Sequence, residues 1–192
     1  MFKKFLILTI ILFAPINSFA TTLGSSLGIN VGLSKLRTRE KNILQHSEKD
    51  LNANFGFFYK YNWNVDKFII GVGVFYDYLN LKASYKISSI HLRYRHGIDF
   101  NLGYNITENS SIYGIFGYGL MKYNSHSYDN NGFKINETKS RPIYGFGIDY
   151  SFSVSWKIGL EYNIQKINVG LDNCYTLKNK IESLNLLLVY KF

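Results

Sequence analysis

The chain ends in the stretch IESLNLLLVYKF, residues 181–192, in which apolar residues recur at every second position. Counted back from the end, one set is Phe192, Tyr190, Leu188, Leu186 and Leu184, and the alternate set is Lys191, Val189, Leu187, Asn185 and Ser183. A pleated β-strand sends successive side chains to opposite faces, so the two sets lie on opposite faces of one strand. The stretch therefore predicts a terminal strand with one continuous apolar face.

The same two-residue period recurs in seven further stretches, and no window outside the N-terminal residues shows a helical period. These strands are predicted at residues 23–36, 51–61, 68–78, 90–104, 111–123, 142–152 and 154–162; the inward face of 111–123 stays open. Long connections at 37–50, 79–86, 124–140 and 165–180 alternate with short turns near 62–67, 105–110 and 151–153. This arrangement predicts an all-β, eight-stranded antiparallel up-and-down barrel, since closure removes the exposed edges.

Residues 1–20 read MFKKFLILTIILFAPINSFA and are predicted to be a cleaved signal peptide. Lys3 and Lys4 precede an apolar run over residues 5–14, which is too short to cross a bilayer as a helix. Small residues, Ser18 and Ala20, precede the expected cleavage point. An uncleaved membrane anchor is the alternative. The barrel domain is predicted to span residues 21–192 of an exported protein.

The composition excludes several classes of protein. Of 192 residues, 46% are hydrophobic, 17% are aromatic and only 18% are charged, which excludes a disordered chain. The single cysteine, Cys174, excludes an internal disulfide framework and a cysteine-based zinc site, and its own role stays open. We expect no cofactor and no metal site. Because the basic residues are scattered and the chain is exported, the net charge of +9 does not indicate nucleic-acid binding.

Two kinds of barrel share this pattern: a soluble one with its apolar face around a ligand, and an outer-membrane one with its apolar face in lipid. The polar face favours the membrane barrel, because it carries many glycines and only a few charges of both signs. We predict that these charges form an ion-pair network inside a narrow lumen: Lys60, Asp77, Arg93, Arg95, Asp99, Asp149, Lys157 and Glu161. Aromatic residues cluster towards both strand ends, as the two interfaces of a bilayer select. The apolar face is therefore predicted to point outwards.

The segments YGFGIDYSF (144–152), WKIGLEYN (156–163) and LLLVYKF (186–192) make the chain resemble the OmpA/OmpX-type outer-membrane β-barrel proteins. Small surface antigens of alphaproteobacteria, rickettsial ones included, look most similar. The resemblance implies a location in the bacterial outer membrane. It also implies that the alternating residues of the last strand are a recognition signal for the barrel-assembly machinery: Leu186, Leu188, Tyr190 and Phe192.

The interior of an eight-stranded barrel is only wide enough to be filled by side chains, so a general diffusion pore is not expected. The internal charges are then structural ion pairs, or they line a narrow gated conduit that depends on Arg93 and Glu161. An enzyme that modifies lipid A is the catalytic alternative, with His126, Ser127 and either Asp129 or Glu137 as its residues. The sequence favours a non-catalytic surface protein with a structural, membrane-integrity or adhesin-like role.

Basic residues are predicted at the rim of the barrel on the side of the long loops, where such a barrel meets other molecules. They are Arg37, Arg39, Lys41, Lys122, Lys134, Lys139 and Arg141. Such residues can contact lipopolysaccharide phosphates or acidic glycans of a host surface, or they can be simply solvated. The expected partners are therefore the lipid bilayer, lipopolysaccharide and the assembly machinery, with a host surface as a further candidate.

Overall fold

The computed structural model describes residues 22–40, 47–84, 88–127, 134–172 and 175–192. Eight strands follow one another along the chain: β1 (Thr22–Glu40), β2 (Ser47–Val65), β3 (Phe68–Ser84), β4 (Ser88–Asn105), β5 (Ser110–Ser127), β6 (Lys134–Ser151), β7 (Trp156–Asp172) and β8 (Tyr175–Lys191). Each strand pairs antiparallel with its neighbours in sequence, and β8 closes on β1. The predicted up-and-down barrel is confirmed. The predicted signal peptide lies outside the described residues.

The outer wall of the barrel carries a continuous apolar belt, because one set of alternating side chains points outwards on every strand. In β1 the exposed set is Leu27, Ile29, Val31 and Leu33, and the buried set is Ser26, Gly28, Asn30 and Ser34. The belt is bounded on β8 by Leu184 and Tyr190, on β4 by Tyr94 and Tyr104, and on β5 by Ile112 and Leu120. Among the described residues, no helix is long and apolar enough to cross a membrane.

The strands extend well past this belt on one side, which corrects the predicted long loops. Residues 37–39 of β1 pair with 47–49 of β2, and residues 166–170 of β7 pair with 176–180 of β8. Backbone pairing does not depend on apolar side chains, so the ladder continues where the apolar alternation ends. We call this end the loop side and the other end, with turns at 66–67, 106–109 and 152–155, the turn side.

Both β3 and β4 are irregular near the loop side, and in β4 the irregularity changes which residues face inwards. The pairing shifts between Tyr78 and Leu81 on β3 and between Leu92 and Tyr94 on β4, and Asn80 adopts a positive φ of 46°. One extra residue in a ladder moves the following side chains to the opposite face. As a result Leu92 faces the lumen and Arg93 is exposed outside, the reverse of the predicted arrangement.

The structure also assigns the face of β5 that the sequence left open. Its lumen-facing residues include Ser111, Ile115, Gly117 and Met121, whereas Phe116 belongs to the outer belt. Both sets contain apolar side chains and glycine, so the period alone did not distinguish them.

Candidate functional site

The turn-side half of the lumen is built around a buried ion pair between β2 and β7. Lys60 Nζ lies 2.8 Å from Glu161 Oε1, and the Tyr113 hydroxyl donates a 3.0 Å hydrogen bond to the same oxygen. The Lys60 ammonium also lies over two aromatic rings, 4.9 Å from the centroid of Phe58 and 5.5 Å from that of Tyr113. The charges are thereby neutralised and hydrogen-bonded, as burial requires.

A second buried pair joins β4 to β3. Arg95 donates to Asp77 Oδ2 through Nη2 at 2.6 Å and through Nε at 3.1 Å, and both residues are almost fully buried. The other carboxylate oxygen, Oδ1, accepts a 3.0 Å hydrogen bond from Asn30 Nδ2 on β1. Phe75 lies beneath the guanidinium at 5.7 Å. This pair fixes three strands at one level of the lumen.

The remaining predicted network members divide into two groups. Lys157 Nζ lies 3.3 Å from Asp149 Oδ2, and Asp99 accepts a 3.2 Å hydrogen bond from Asn101 Nδ2. These residues face the lumen with the two pairs above. Arg93 does not, because the β3–β4 irregularity places it on the outer wall; the predicted role of Arg93 in the network was wrong.

Glycines on neighbouring strands make room for these charged side chains. A Cβ added to Gly73 would lie 2.6 Å from Asp99 Oδ1 and 2.9 Å from Lys60 Cγ. The lumen therefore accommodates the charges only because the facing position has no side chain.

Above the charged layers, on the loop side, the lumen is closed by an apolar septum that sequence reasoning missed. Six strands contribute to it, and every member is at most 1% exposed: Leu36, Leu79, Leu81, Ala83, Ile90, Leu92, Met121, Tyr123, Ile167 and Ile181. A signal for it was present, since Leu79, Leu81 and Ala83 continue the lumen-facing alternation of Asp77. The outer apolar belt ends at about this level. Beyond it, apolar residues face the lumen and polar residues face outwards, so the pattern that identifies the outer face of a strand is lost.

On the loop side of the septum, the Tyr123 hydroxyl donates a 2.6 Å hydrogen bond to Glu137 Oε2. Burial and this carboxylate raise the pKa of Tyr123 above its ordinary value, so the phenol stays protonated. Glu137 also lies 3.7 Å from Lys139 Nζ. The other residues of the catalytic alternative, His126, Ser127 and Asp129, have no described side chains. Among the described residues, no group of three or more His, Cys, Asp or Glu side chains could hold a metal ion.

The loop-side outer wall, immediately beyond the apolar belt, is strongly basic. Its described outward-facing cations are Lys35, Arg37, Lys82, Arg93, Lys122, Lys166, Lys178 and Lys180. Glu182 is the one acidic side chain among the described residues of this surface. We call this set the basic wall. It lies where the outer belt gives way to polar residues, at the level of a membrane interface.

Glu182 organises part of the basic wall. Its carboxylate accepts 2.8 Å hydrogen bonds from the Lys180 ammonium and the Tyr162 hydroxyl, and Arg37 Nε lies 3.0 Å from its other oxygen. These hydrogen bonds, Lys180 first, lower the pKa of Glu182 below its ordinary value. One carboxylate thus pairs with two cations, and the other cations of the wall have no acidic partner among the described residues.

On the opposite side of the barrel, the cations of β3 and β4 lie around His91. Its Nε2 is 2.9 Å from Asn80 Oδ1, the residue at the strand irregularity. Burial lowers the pKa of His91, and the positive charges of Lys82 and Arg93 lower it further. The imidazole is therefore neutral at pH 7, and Lys82 and Arg93 supply the charge of this part of the wall.

The predicted basic rim is only partly reproduced. Arg37 and Lys122 belong to the basic wall, whereas Lys139 and Arg141 are on the lumen-side set of β6. Lys139 donates to the Asn168 carbonyl at 3.4 Å, and Arg141 donates to the Ser140 carbonyl at 3.1 Å. Arg39 and Lys134 lie in β1 and β6 without described side chains, and Lys41 and Cys174 lie outside the described residues.

The last strand presents its alternating apolar set to the outside. Leu186, Leu188, Tyr190 and Phe192 are between 39% and 67% exposed, and Trp156 packs edge-on against Tyr190 at 5.0 Å. The backbone N–H of Phe192 donates to the Ser25 carbonyl at 3.0 Å, which ties the last residue to β1. The role of this set in assembly stays a prediction.

A closed barrel with an apolar outer belt and a polar lumen is the arrangement of an integral outer-membrane protein. The family model described as "Outer membrane protein beta-barrel domain" matches residues 6–192, and the chain belongs to this family. Its place is the bacterial outer membrane, with the belt in the lipid bilayer, and its fold is of the OmpA/OmpX type. A search of curated protein sequences finds no match.

Two solved structures illustrate the similarity of the fold. Ail, the attachment invasion locus protein of Yersinia pestis, is 18% identical with a TM-score of 0.53, over 87% of this chain and 98% of that one. Neisserial surface protein A is 13% identical with a TM-score of 0.51, over 86% of this chain and 97% of that one. At these identities the similarity establishes the barrel fold.

Proposed function

We propose that the protein is a non-catalytic surface barrel whose basic wall binds the phosphate groups of lipopolysaccharide in the outer leaflet. The single observation that carries this proposal is the excess of outward cations immediately beyond the apolar belt. Eight cations and one carboxylate among the described outward side chains create a strongly positive interface. The phosphate groups of the lipids lie at the membrane interface, the same level as the basic wall, so the cations can contact them without any movement of the barrel.

The distribution of the cations favours a lipid ligand that surrounds the barrel. Lys35 and Lys166 lie on β1 and β7, Lys82 lies on β3, and Lys122 lies on β5. A partner that docks at one point would need a patch on one or two strands. A ring of cations instead suits many small anionic headgroups, each held by one or two side chains at about 1 kcal/mol per cation near an anionic surface.

The test compares two double variants that remove the same charge at opposite ends of the barrel. Lys82→Gln/Lys166→Gln removes two exposed cations of the basic wall, and Lys67→Gln/Lys191→Gln is the turn-side control. Each is folded into phospholipid vesicles with and without lipopolysaccharide. The temperature at which the folded gel band shifts to the unfolded position is then recorded.

Lipopolysaccharide is expected to raise this temperature for the original chain and for the turn-side control. The loop-side variant removes two of the eight cations, so it is expected to lose about a quarter of the increase, which corresponds to about 2 kcal/mol of lost interaction. Equal increases in all three proteins would contradict the proposal.

An adhesin-like role is the second candidate, and one comparison favours it. Ail was also solved with the heparin analogue sucrose octasulfate, in a structure 17% identical to this chain with a TM-score of 0.53. Retention on heparin that disappears in the loop-side variant, with an unchanged lipopolysaccharide effect, would assign the wall to sulfated glycans instead.

A further inference from the structure

The turn-side end of the lumen opens into a cavity of about 210 Å³ lined by polar and apolar side chains. Its walls include the amides of Asn62 and Asn101 and the charged ends of Asp149 and Lys157. Asn101 is 4% exposed, and its Oδ1 has no hydrogen-bond partner among the described residues. A cavity of this size with polar walls holds several water molecules, so water reaches the lumen from the turn side.

A second void of about 30 Å³ lies deeper in the lumen and shares Phe58 and Lys60 with the first. Four buried polar atoms without a hydrogen-bond partner in the described part of the chain belong to residues around it: Asn30 Oδ1, Arg95 Nη1, Asn163 Oδ1 and Asn185 Oδ1. A buried donor or acceptor without a partner is costly, and a void of this size takes one water molecule. Three acceptors and one donor provide the hydrogen-bond partners that such a water needs.

On β2 and β6 the residues paired with Leu36 and Met121 are polar, Asp50 and Lys139, and beyond the hydrated level the other six strands build the apolar septum. Its ten side chains include one polar atom, the Tyr123 hydroxyl, and that hydroxyl is bonded to Glu137 on the loop side. A narrow apolar constriction between two aqueous spaces excludes water and therefore blocks ions without any ion pair having to break.

We propose that the lumen is a cation conduit entered from the turn side and held shut by the apolar septum, which acts as a hydrophobic gate. This goes beyond the surface role proposed above and does not depend on it. In this proposal the gate is the septum, and not Arg93 and Glu161 as in the conduit considered from the sequence. Arg93 lies on the outer wall, and the Lys60–Glu161 pair lines the hydrated section below the constriction.

The charges of the hydrated section give the conduit its selectivity. The two voids are lined by four cations and five carboxylates among the described residues: Lys60, Arg95, Lys157, Lys191, Asp77, Asp99, Glu108, Asp149 and Glu161. Asp99 has no ion-pair partner among the described residues. The excess of one negative charge favours cations.

The experiment makes the septum polar by substitution and measures the ion current through the barrel. Leu81→Ser/Ile181→Ser places two hydroxyls in the constriction, and Leu184→Ser/Leu186→Ser is the matched control on the lipid-facing side of β8. Both proteins and the original chain are reconstituted in planar bilayers, and folding is verified by the heat-dependent gel shift. The original chain and the control are expected to be silent, and the septum variant is expected to conduct with a preference for K⁺ over Cl⁻.

A folded septum variant that stays silent would overturn the proposal, and so would conduction by the original chain at the same level as the variant. If the serine pair does not fold, Leu81→Ala/Ile181→Ala tests the same gate through widening, with the same expected and contradicting results. Adding Asp99→Asn to a conducting variant is expected to reduce the cation preference at least twofold. An unchanged preference would show that Asp99 does not set the selectivity.

Discussion

Replacing Arg95 with methionine removes one partner of the most buried ion pair and leaves the Asp77 carboxylate in the lumen. Arg95 is 2% exposed and donates two hydrogen bonds to Asp77. Breaking a buried pair from one side costs about 3–5 kcal/mol, because the remaining charge is uncompensated. Asn30 still donates to Asp77 Oδ1, so we expect the lower part of that range, about 3 kcal/mol.

The assay is urea unfolding of the barrel in lipid vesicles, followed by tryptophan fluorescence. Arg93→Met is the matched control, because Arg93 lies two residues away on the same strand but is exposed; we expect a change within about 0.5 kcal/mol. Adding Asp77→Asn to Arg95→Met is expected to recover at least ~1 kcal/mol of the loss, since no unpaired charge remains. A loss below ~1 kcal/mol for Arg95→Met, or strict additivity in the double variant, would refute the reasoning.

Three further predictions concern the lumen, the belt and the loop side. Gly73→Ala is expected to cost about 1–3 kcal/mol in the same assay, because the added Cβ would lie 2.6 Å from a carboxylate oxygen. Gly114→Ala, whose nearest neighbouring atom is 3.9 Å away, is expected to change little. Leu186→Arg in the belt is expected to cost about 2–4 kcal/mol, and Val154→Arg in an exposed turn close to nothing. Because the pKa of Glu182 is lowered in the folded state, its carboxylate stabilises the fold at a pH above the unfolded carboxyl pKa of about 4.3, and this contribution is lost as the pH falls through the folded pKa. Glu182→Gln is expected to flatten that part of a curve of stability against pH.

The sequence was sufficient to predict the outer wall, because lipid selects an unbroken apolar face. The alternation is direct in β8, with Leu186, Leu188 and Tyr190, and in β1, with Ile29 and Val31. The predicted strand order and the closure of the barrel are confirmed. The charges that face the lumen could be identified for the same reason, since they fall on the opposite set.

The sequence was insufficient where neither face is constrained by lipid. Beyond the belt both faces of a strand meet water or the septum, so the alternation disappears although the pairing continues. The extra residue of β4 at Arg93 reverses the faces of Leu92 and Arg93, and no local pattern of apolar residues predicts such a change. A positive φ at asparagine is compatible with the sequence but is not required by it.

The membrane architecture of the barrel is defined by which leucine and isoleucine side chains touch lipid. The most direct measurement is nuclear magnetic resonance of methyl-labelled protein in lipid nanodiscs, with cross-relaxation from the acyl chains. Leu186 and Leu188 are expected to receive magnetisation from the acyl chains, and Leu36 and Ile181 in the septum are expected to receive none. Acyl-chain contacts at Leu36 and Ile181, with none at Leu186 and Leu188, would contradict the account.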